Sequence, residues 1–479
     1  MDRQIVVMGT GGSAAIDMLR NIRAAGVFGT MADVKTVELP EETKGVIVIG
    51  GENEATEAAL RKVLERGLPL LAFGKPAAVL CEVLGGTVRG HAFDEQLKDV
   101  RFANLGVCAG VDGGMRMLQG AEYLTLPQGC HALSVVEGAI MGFEDEAERV
   151  SGFQFLPETQ DIETACIVEN FMLRVAGADD GYTCEDYAER MVEEISKLVG
   201  EDGQAICLLS GGVDSTTAAC LARKAVGDRL HGLVIDTGLA RPGEVDGIVR
   251  ELGEGMGLAI TRIDASERMM ERLRGCVTPQ QKRHAVQVFL AACIAEEVEK
   301  LGGNAVVIQG TNYLDVLQVE HSPMVLPGNI KAVHPLEYMF KAEVRKLARQ
   351  MGIPEAVVMR NHYPSAGMAL RCMGAVDAEK LVALRAADAI LRQVIEEAGQ
   401  KRPNTQAFAV LSDVSEFFQT QGKRYVIILR AISGVDSGRA SIQRLPQDVL
   451  EKAAERIMEE VENVYRVVFD VTPTRVEWE

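Results

Sequence analysis

The sequence predicts an α/β protein, with mainly parallel sheets in successive domains and a small α+β domain at the end. Three observations predict it. At 479 residues the chain is long enough for two or three domains, each with its own core. Short apolar runs recur, each stopping at glycines or a carboxylate and each followed by helically spaced apolar residues. Four of these runs, ending at Leu209, Ile235, Ile263 and Ile308, deliver polar residues to the C-terminal ends of consecutive strands. In parallel sheets that edge holds the ligand.

Composition narrows the function class. A hydrophobic fraction of 47% is ordinary for a globular protein, and no apolar run reaches the length of a membrane span. A net charge of −19 argues against non-specific nucleic-acid binding. The ten cysteines are scattered without a Cys-x-x-Cys pair, as expected for reduced thiols in a cytoplasmic protein. Residues 1–4 lead directly into an apolar strand, so no signal peptide is expected.

In chain order, a strand over residues 4–8 runs into Gly9-Thr10-Gly11-Gly12-Ser13-Ala14, and a helix follows over residues 15–25. This turn also fits the dinucleotide fingerprint, which needs an acidic residue about 20 positions on. The candidates are Asp33, ahead of the expected second strand, and Glu38, late within it. The next elements are a strand over 45–50, a helix over 54–66, a strand over 68–73 ending at Gly74-Lys75-Pro76, and a helix through Leu84-Gly85-Gly86. Gly152-Phe153-Gln154-Phe155-Leu156-Pro157-Glu158 comes much later. The polar, glycine-containing stretch 176–181 reads as a linker.

After a helix over 185–199, an apolar strand over 205–209 stops at Ser210-Gly211-Gly212-Val213-Asp214-Ser215, and a helix begins by Thr216. Strand, glycine turn and helix N-terminus make an anion site, because backbone N–H groups converge there and the helix dipole favours negative charge. Gly211 and Gly212 let a phosphate approach the backbone, and Ser210 and Ser215 add hydroxyls. No Lys-Ser/Thr pair follows, so the loop is not a Walker A motif. Later strands end in Ile235-Asp236-Thr237-Gly238, in Asp264, and in Gln309-Gly310-Thr311-Asn312-Tyr313-Leu314-Asp315.

The SGGVDS segment resembles the PP-loop of the ATP pyrophosphatase superfamily, which grips the pyrophosphate of ATP. The order of residues 45–158 resembles a class I glutamine amidotransferase, a flavodoxin-like domain. In that family a Cys follows the strand that here ends at Gly74, and a Gly-x-Gln-Phe-His-Pro-Glu supplies base and carboxylate. Gly74 stands at the nucleophile's position and Leu156 at the base's, and Glu158 is retained. Glutamine hydrolysis by this route therefore lacks both groups. Cys81, seven residues on, reads as a small buried hydrophobe.

The VIDTGLA segment, Pro279-Gln280-Gln281-Lys282-Arg283, QGTNYLDV, residues 335–345, residues 406–410 and the terminal Val476-Glu477-Trp478-Glu479 resemble the GMP synthetase family in order. That resemblance covers essentially the whole chain. It implies a degenerate amidotransferase-like domain over 1–176, a PP-loop ATP pyrophosphatase domain over 177–370 and a dimerisation domain over 371–479. It also implies ATP-dependent amination of XMP through an adenylyl intermediate, with ammonia as nitrogen source and Mg²⁺ as the metal. A separate glutaminase is one source of that ammonia, and a homodimer is expected.

For ATP, the resemblance implies contacts from Ser210, Gly211, Gly212, Val213, Asp214, Ser215, Ile235, Asp236, Gln309 and Gly310. It also implies Lys341 as the phosphate cation, and Asp214 or Asp315 as the residue that holds Mg²⁺ or shapes its water shell. For the acceptor it implies Arg268, Arg360, Arg371 and Glu477. The acceptor side departs most from the family pattern. The loop 360–371 lacks the family's Pro-Gly-Pro-Gly core, 320–324 keeps one His, 418–424 is replaced, and 472–475 lacks a phosphate-binding Lys. The reading therefore leaves two alternatives open. One is a PP-loop enzyme acting on another carbonyl with an amine, ammonia or sulfur donor; the other is an inert ATP-binding protein.

Overall fold

The computed structural model describes residues 4–9, 12–51, 53–89, 96–118, 122–145, 147, 149–155, 157, 162–317, 324–360, 366–402, 405–413, 424–433 and 441–473. Leu156, Glu158 and Glu477 lie outside the described residues, as do 320–323, 361–365, 418–423, 474 and 475 of the departing acceptor-side loops. Chain contacts divide the protein into two bodies, Met1–Tyr187 and Ala188–Glu479.

The first body contains β1 (Ile5–Gly9), α1 (Ser13–Ala24), β2 (Gly29–Asp33), β3 (Gly45–Ile49), α2 (Asn53–Glu65), β4 (Leu70–Phe73), α3 (Lys75–Val83), β5 (Thr87–Arg89), β6 (Gln96–Phe102), β7 (Gly114–Leu118), β8 (Glu122–Thr125), β9 (Cys130–Val136), β10 (Ala139–Asp145), β11 (Val150–Phe153) and α4 (Ile162–Asn170). Its sheet runs β2-β1-β3-β4-β11-β10-β9-β6-β7. The first five strands are parallel, and β10, β9, β6 and β7 continue antiparallel. Helices cover both faces of the parallel part, so β1, β3 and β4 are buried on both sides and read as unbroken apolar runs.

The order 2-1-3-4-11 is flavodoxin-like and departs from the 3-2-1-4 order of dinucleotide folds. One expectation is corrected. Asp33 does not precede the second strand but closes it, because β2 is Gly29–Asp33 and residues 34–39 lie in turn and coil. Gly29 explains the early start: a Cβ there would lie 2.8 Å from Leu19 Cδ1 and 3.2 Å from Ile22 Cγ2, under α1.

The stretch 176–183 is tied to the first body. The Gln4 side chain donates to Asp179 O at 3.0 Å and accepts from Asp179 N at 2.6 Å. Tyr182 N donates to Gly26 O at 2.8 Å, and the buried Arg23 guanidinium lies 4.2 Å over Phe28 and 5.2 Å over Tyr182. The contact boundary falls downstream, inside α5 (Cys184–Val199).

The second body continues with β12 (Ala205–Leu208), α6 (Val213–Val226), β13 (Leu230–Asp236), α7 (Glu244–Val249), β14 (Ile260–Asp264), α8 (Ser266–Arg272), α9 (Pro279–Lys300), β15 (Val306–Ile308), α10 (Tyr313–Leu317), β16 (Ala332–Val333), α11 (Lys341–Gln350), α12 (Glu355–Val358), α13 (Ala378–Glu397), β17 (Thr405–Asp413), β18 (Tyr425–Ser433), β19 (Ser441–Ile442), α14 (Gln447–Glu460) and β20 (Val464–Phe469). The five-stranded parallel sheet is ordered β14-β13-β12-β15-β16. The chain goes outward from β12 in one direction through β13 and β14, then returns to the other side of β12 as β15. The topological switch point therefore lies between β12 and β15, where α/β sheets open a crevice.

A second sheet pairs β18 with β17, β19 and β20. α13 and α14 pack on it through Leu384, Leu391, Ala453 and Ile457 against Ala409, Leu411, Ile427 and Leu429, and the same core takes in Leu239, Met269 and Val286.

Candidate active site

The site is built at the switch point. β12 ends in a turn whose Gly211 has φ +76°, and Gly212, in extended backbone, caps α6. α6 is buried nearly all round and carries small residues in its first turns, which lets the neighbouring loops approach its N-terminus closely. The hydroxyls stitch the loop. Ser210 Oγ and Ser215 Oγ lie 3.1 Å apart, Ser215 Oγ donates to Gly212 O at 3.1 Å, and Thr216 Oγ1 donates to Gly212 O at 2.9 Å.

The loop after β15 crosses this helix end in backbone contact. A Cβ on Gly310 would stand 2.7 Å from both Ser215 N and Ser215 Cα, so only glycine fits. Two residues on, Asn312 does two jobs. Its Oδ1 accepts from Leu314 N (3.0 Å) and Asp315 N (3.3 Å), capping α10, while its Nδ2 donates to Asp214 Oδ2 at 3.4 Å. Asp315 accepts from Asn312 N at 3.1 Å. Lys341 opens α11, placed by Phe340, whose ring packs on Tyr313 at 5.4 Å and whose N–H donates to Glu343. The Lys341 ammonium donates to Asp214 Oδ2. Three residues expected from separate motifs, Asp214, Asp315 and Lys341, thus form one cluster.

Electrostatics set the cluster's state. Burial pushes the Asp315 carboxyl up to about 6; the Asn312 N–H opposes this, the Asp214 charge adds to it and Lys341 opposes it. Asp214 Oδ1 is buried without a hydrogen-bond partner, an oxygen left available to a cation. Among the described residues no group of three or more His, Cys, Asp or Glu could hold a metal alone. Two carboxylates fit a Mg²⁺ that also takes phosphate and water ligands.

The other expected ATP-side residues are distributed around this point. Gln309 follows β15 directly and donates to Met324 O at 3.1 Å. Ile235 and Asp236 end β13, where Asp236 accepts from Gly238 N at 3.0 Å and pairs with Arg262 at 2.9 Å. Asp264, on edge strand β14 and two strands from the switch point, accepts from Ser266 N and Oγ (3.1 and 2.7 Å) in a local turn ahead of α8.

Each of the three described acceptor-side arginines is engaged by other groups of the protein. Arg268 pairs with Glu296 at 2.5 Å on the surface. Arg371 is fully buried in the core, 4.1 Å over the Phe408 ring and 3.7 Å from Asp388. Arg360 lies at the phosphate loop: its Nη1 donates to Gly211 O at 2.6 Å and its Nη2 to Glu251. Asn312 and Glu251 were not singled out from the sequence. Asn312 sits inside a quoted motif, whereas no local pattern marks Glu251.

In the first body, Gly74 connects β4 to α3 with φ 67°, ψ −134°, and its N–H donates to Phe153 O at 2.8 Å. This is the sharp strand-to-helix turn that carries a nucleophile in hydrolases, here with no side chain on it. Cys81 is fully buried, and burial pushes its thiol up to about 12. At neutral pH such a thiol carries almost no thiolate, the reactive form.

A family profile described as GMP synthase C terminal domain matches residues 393–478, and one described as NAD synthase matches residues 328–418. A protein of Symbiobacterium thermophilum named GMP synthase [glutamine-hydrolyzing] is 34% identical, with 99% of each chain covered. Proteins of the same name from Bacillus thuringiensis subsp. konkukian and Bacillus anthracis are each 33% identical over 99% of this chain and 98% and 99% of theirs. The chain belongs to the GMP synthase family. It is an enzyme of the ligase class that uses ATP, with a GMP synthase-like function built on a PP-loop ATP pyrophosphatase domain. Among the described residues no helix is long and apolar enough to cross a membrane.

Proposed function

We propose that this protein aminates XMP to GMP with ammonia, releasing AMP and pyrophosphate, and that it does not hydrolyse glutamine. The observation that carries the ATP half is the Asp214–Lys341–Asn312–Asp315 cluster at the switch point, against the phosphate loop. XMP O2 attacks the α-phosphorus of ATP, the bond to the β-phosphate breaks, and pyrophosphate leaves. Ammonia then adds at C2 and AMP departs. The α6 N-terminus and Lys341 hold the leaving pyrophosphate, with Ser210, Gly211, Gly212, Val213 and Ser215 lining it and Ile235, Asp236, Gln309 and Gly310 around the nucleotide. Asp214 and Asp315 would hold Mg²⁺, which when bound supplies charge neutralisation of the phosphates. Lys341 donates to Asp214, so a bound phosphate would compete with that carboxylate for the ammonium.

The loss of glutaminase rests on Gly74 and Leu156 at the positions of nucleophile and base. Residues 1–176 then form a pseudo-amidotransferase domain, 177–370 the ATP pyrophosphatase and 371–479 a dimerisation domain, in a cytoplasmic homodimer. Purified protein given ATP, Mg²⁺, XMP and ammonium should form AMP and GMP in equal amounts. Glutamine in place of ammonium should give no turnover unless a separate glutaminase is added. Absence of AMP at saturating ammonium rejects the proposal.

A second reading is favoured by one observation: Arg268 and Arg371 are engaged away from the crevice. On that reading the adenylylated acceptor is another carbonyl compound. Pyrophosphate release with a different purine or pyrimidine, and none with XMP, would establish it.

A further inference from the structure

We infer that Arg360 is a positioning residue for the ATP step, one that sets the phosphate-binding loop from behind, with Glu251 holding it in register. Arg360 follows α12, and its backbone N–H closes that helix on Val357 O at 3.1 Å. Its guanidinium forks between two acceptors. Nη1 donates to Gly211 O at 2.6 Å, and Nη2 donates to the Glu251 carboxylate in the turn that continues α7. The loop is enclosed on this side: a Cβ on Gly211 would come within 2.5 Å of Ile248 Cγ1 and 2.7 Å of Arg360 Nη1.

The consequence follows from peptide geometry. In a trans peptide the C=O and the next N–H point in opposite directions, so pinning Gly211 O fixes where the Gly212 N–H points. Two successive glycines would otherwise leave that peptide plane free to rotate. A charge-assisted bond from a planar fork, itself held by a carboxylate, removes the freedom before the ligand arrives. Glu251 also offsets part of the guanidinium charge, so Arg360 acts by geometry more than by field.

The inference rests on Ser210–Ser215 being the ATP loop, and the test separates the two. Binding of a non-hydrolysable ATP analogue is measured by calorimetry on the full chain without acceptor, beside steady-state kinetics. Arg360→Ala should weaken analogue binding at least about tenfold and lower kcat, with the KM for the acceptor unchanged. Arg360→Lys should recover little, because an ammonium cannot bridge both acceptors. Glu251→Gln should shift the same parameters in the same direction by a smaller factor. The double variant should be no worse than Arg360→Ala alone, since both act through one contact.

A raised acceptor KM with normal analogue binding overturns the inference and makes Arg360 an acceptor ligand. A silent Glu251→Gln beside a large Arg360 effect also overturns it, in favour of a direct phosphate contact. If Arg360→Ala does not fold, Glu251→Gln carries the test alone: weakened analogue binding supports the brace and unchanged binding overturns it. Wild-type protein that binds no analogue defeats the ATP-loop reading, whereas normal binding by every variant defeats the brace alone.

Discussion

At the scale of single residues, Asp315 carries the titration that most directly touches the site. Its carboxyl ionises at about 6 in the folded protein, against 3.8 as its ordinary value, chiefly because it is buried. The folded state thus holds this proton more tightly than the unfolded chain does. Ionisation costs stability: the cost is absent below pH 4, grows between pH 4 and 6, and is fully present above 6. It amounts to roughly 2–3 kcal/mol at neutral pH. Asp315→Asn keeps an oxygen for the Asn312 N–H and removes the cost. Thermal melts without Mg²⁺ should therefore show Asp315→Asn above wild type at pH 7.5 and no higher at pH 4. Mg²⁺ with ATP should raise the wild-type melt more than the variant's. A difference that stays flat with pH would show that Asp315 is not buried as charged. Gly74 has a φ of 67°, a conformation other residues adopt only with strain and glycine adopts without it.

At the scale of elements, the site depends on how closely the β15 loop lies against the N-terminus of α6. Gly310→Ala places a methyl 2.7 Å from backbone atoms of Ser215, which cannot rotate away as a side chain could. The loop must lift, separating Asn312 from Asp214. Pyrophosphate release should fall at least about a hundredfold, and stability by about 1–3 kcal/mol. Gly247→Ala in α7, where a Cβ meets nothing within 4 Å, is the control: it should leave pyrophosphate release unchanged and raise stability by about 0.5–1 kcal/mol. Elements of this kind were legible in the sequence because a parallel strand buried on both faces is an unbroken apolar run, as at 205–208 and 306–308, and because glycines and carboxylates mark its end. The second strand of the first body was misplaced for the converse reason. Gly29, Thr30 and Met31 carry no strong strand signal, and packing under Leu19 and Ile22 decides the matter. The fork of Arg360 onto Gly211, 149 residues away, and the placement of Arg371 on Asp388 follow no period, so neither the brace nor the buried arginine could be read from spacing.

At the scale of the second body, the loop after β13 and the C-terminal helices are joined by an ionic network centred on the buried Asp388. Burial pushes the Asp388 carboxyl up, but Arg241, Arg371 and Arg392 outweigh it and hold it below the usual carboxylate range. Asp388 on α13 accepts from Arg241 at 2.9 Å and from Arg392 at 3.0 Å, and also faces the β17 backbone at Ala409 N. Arg385, one turn earlier, donates to the carbonyls of Gly238 and Ala240, in the loop that follows Asp236. The buried Lys282 of α9 donates to Cys372 O, and Met368 N donates to Leu239 O at 2.9 Å. A helix from the C-terminal region thus fastens the loop that follows Asp236, and residues 188–479 should unfold as one cooperative unit. Asp388→Ala strips the shared carboxylate from three guanidinium groups, Arg371 among them with no solvent exposure. Removing one side of such a buried network costs about 3–5 kcal/mol. Hydrogen exchange should then show protection falling together in residues 237–241 and in β17, at the same denaturant concentration. If β17 loses protection while 237–241 keeps its own, the two regions are independently stable and the network does not join them.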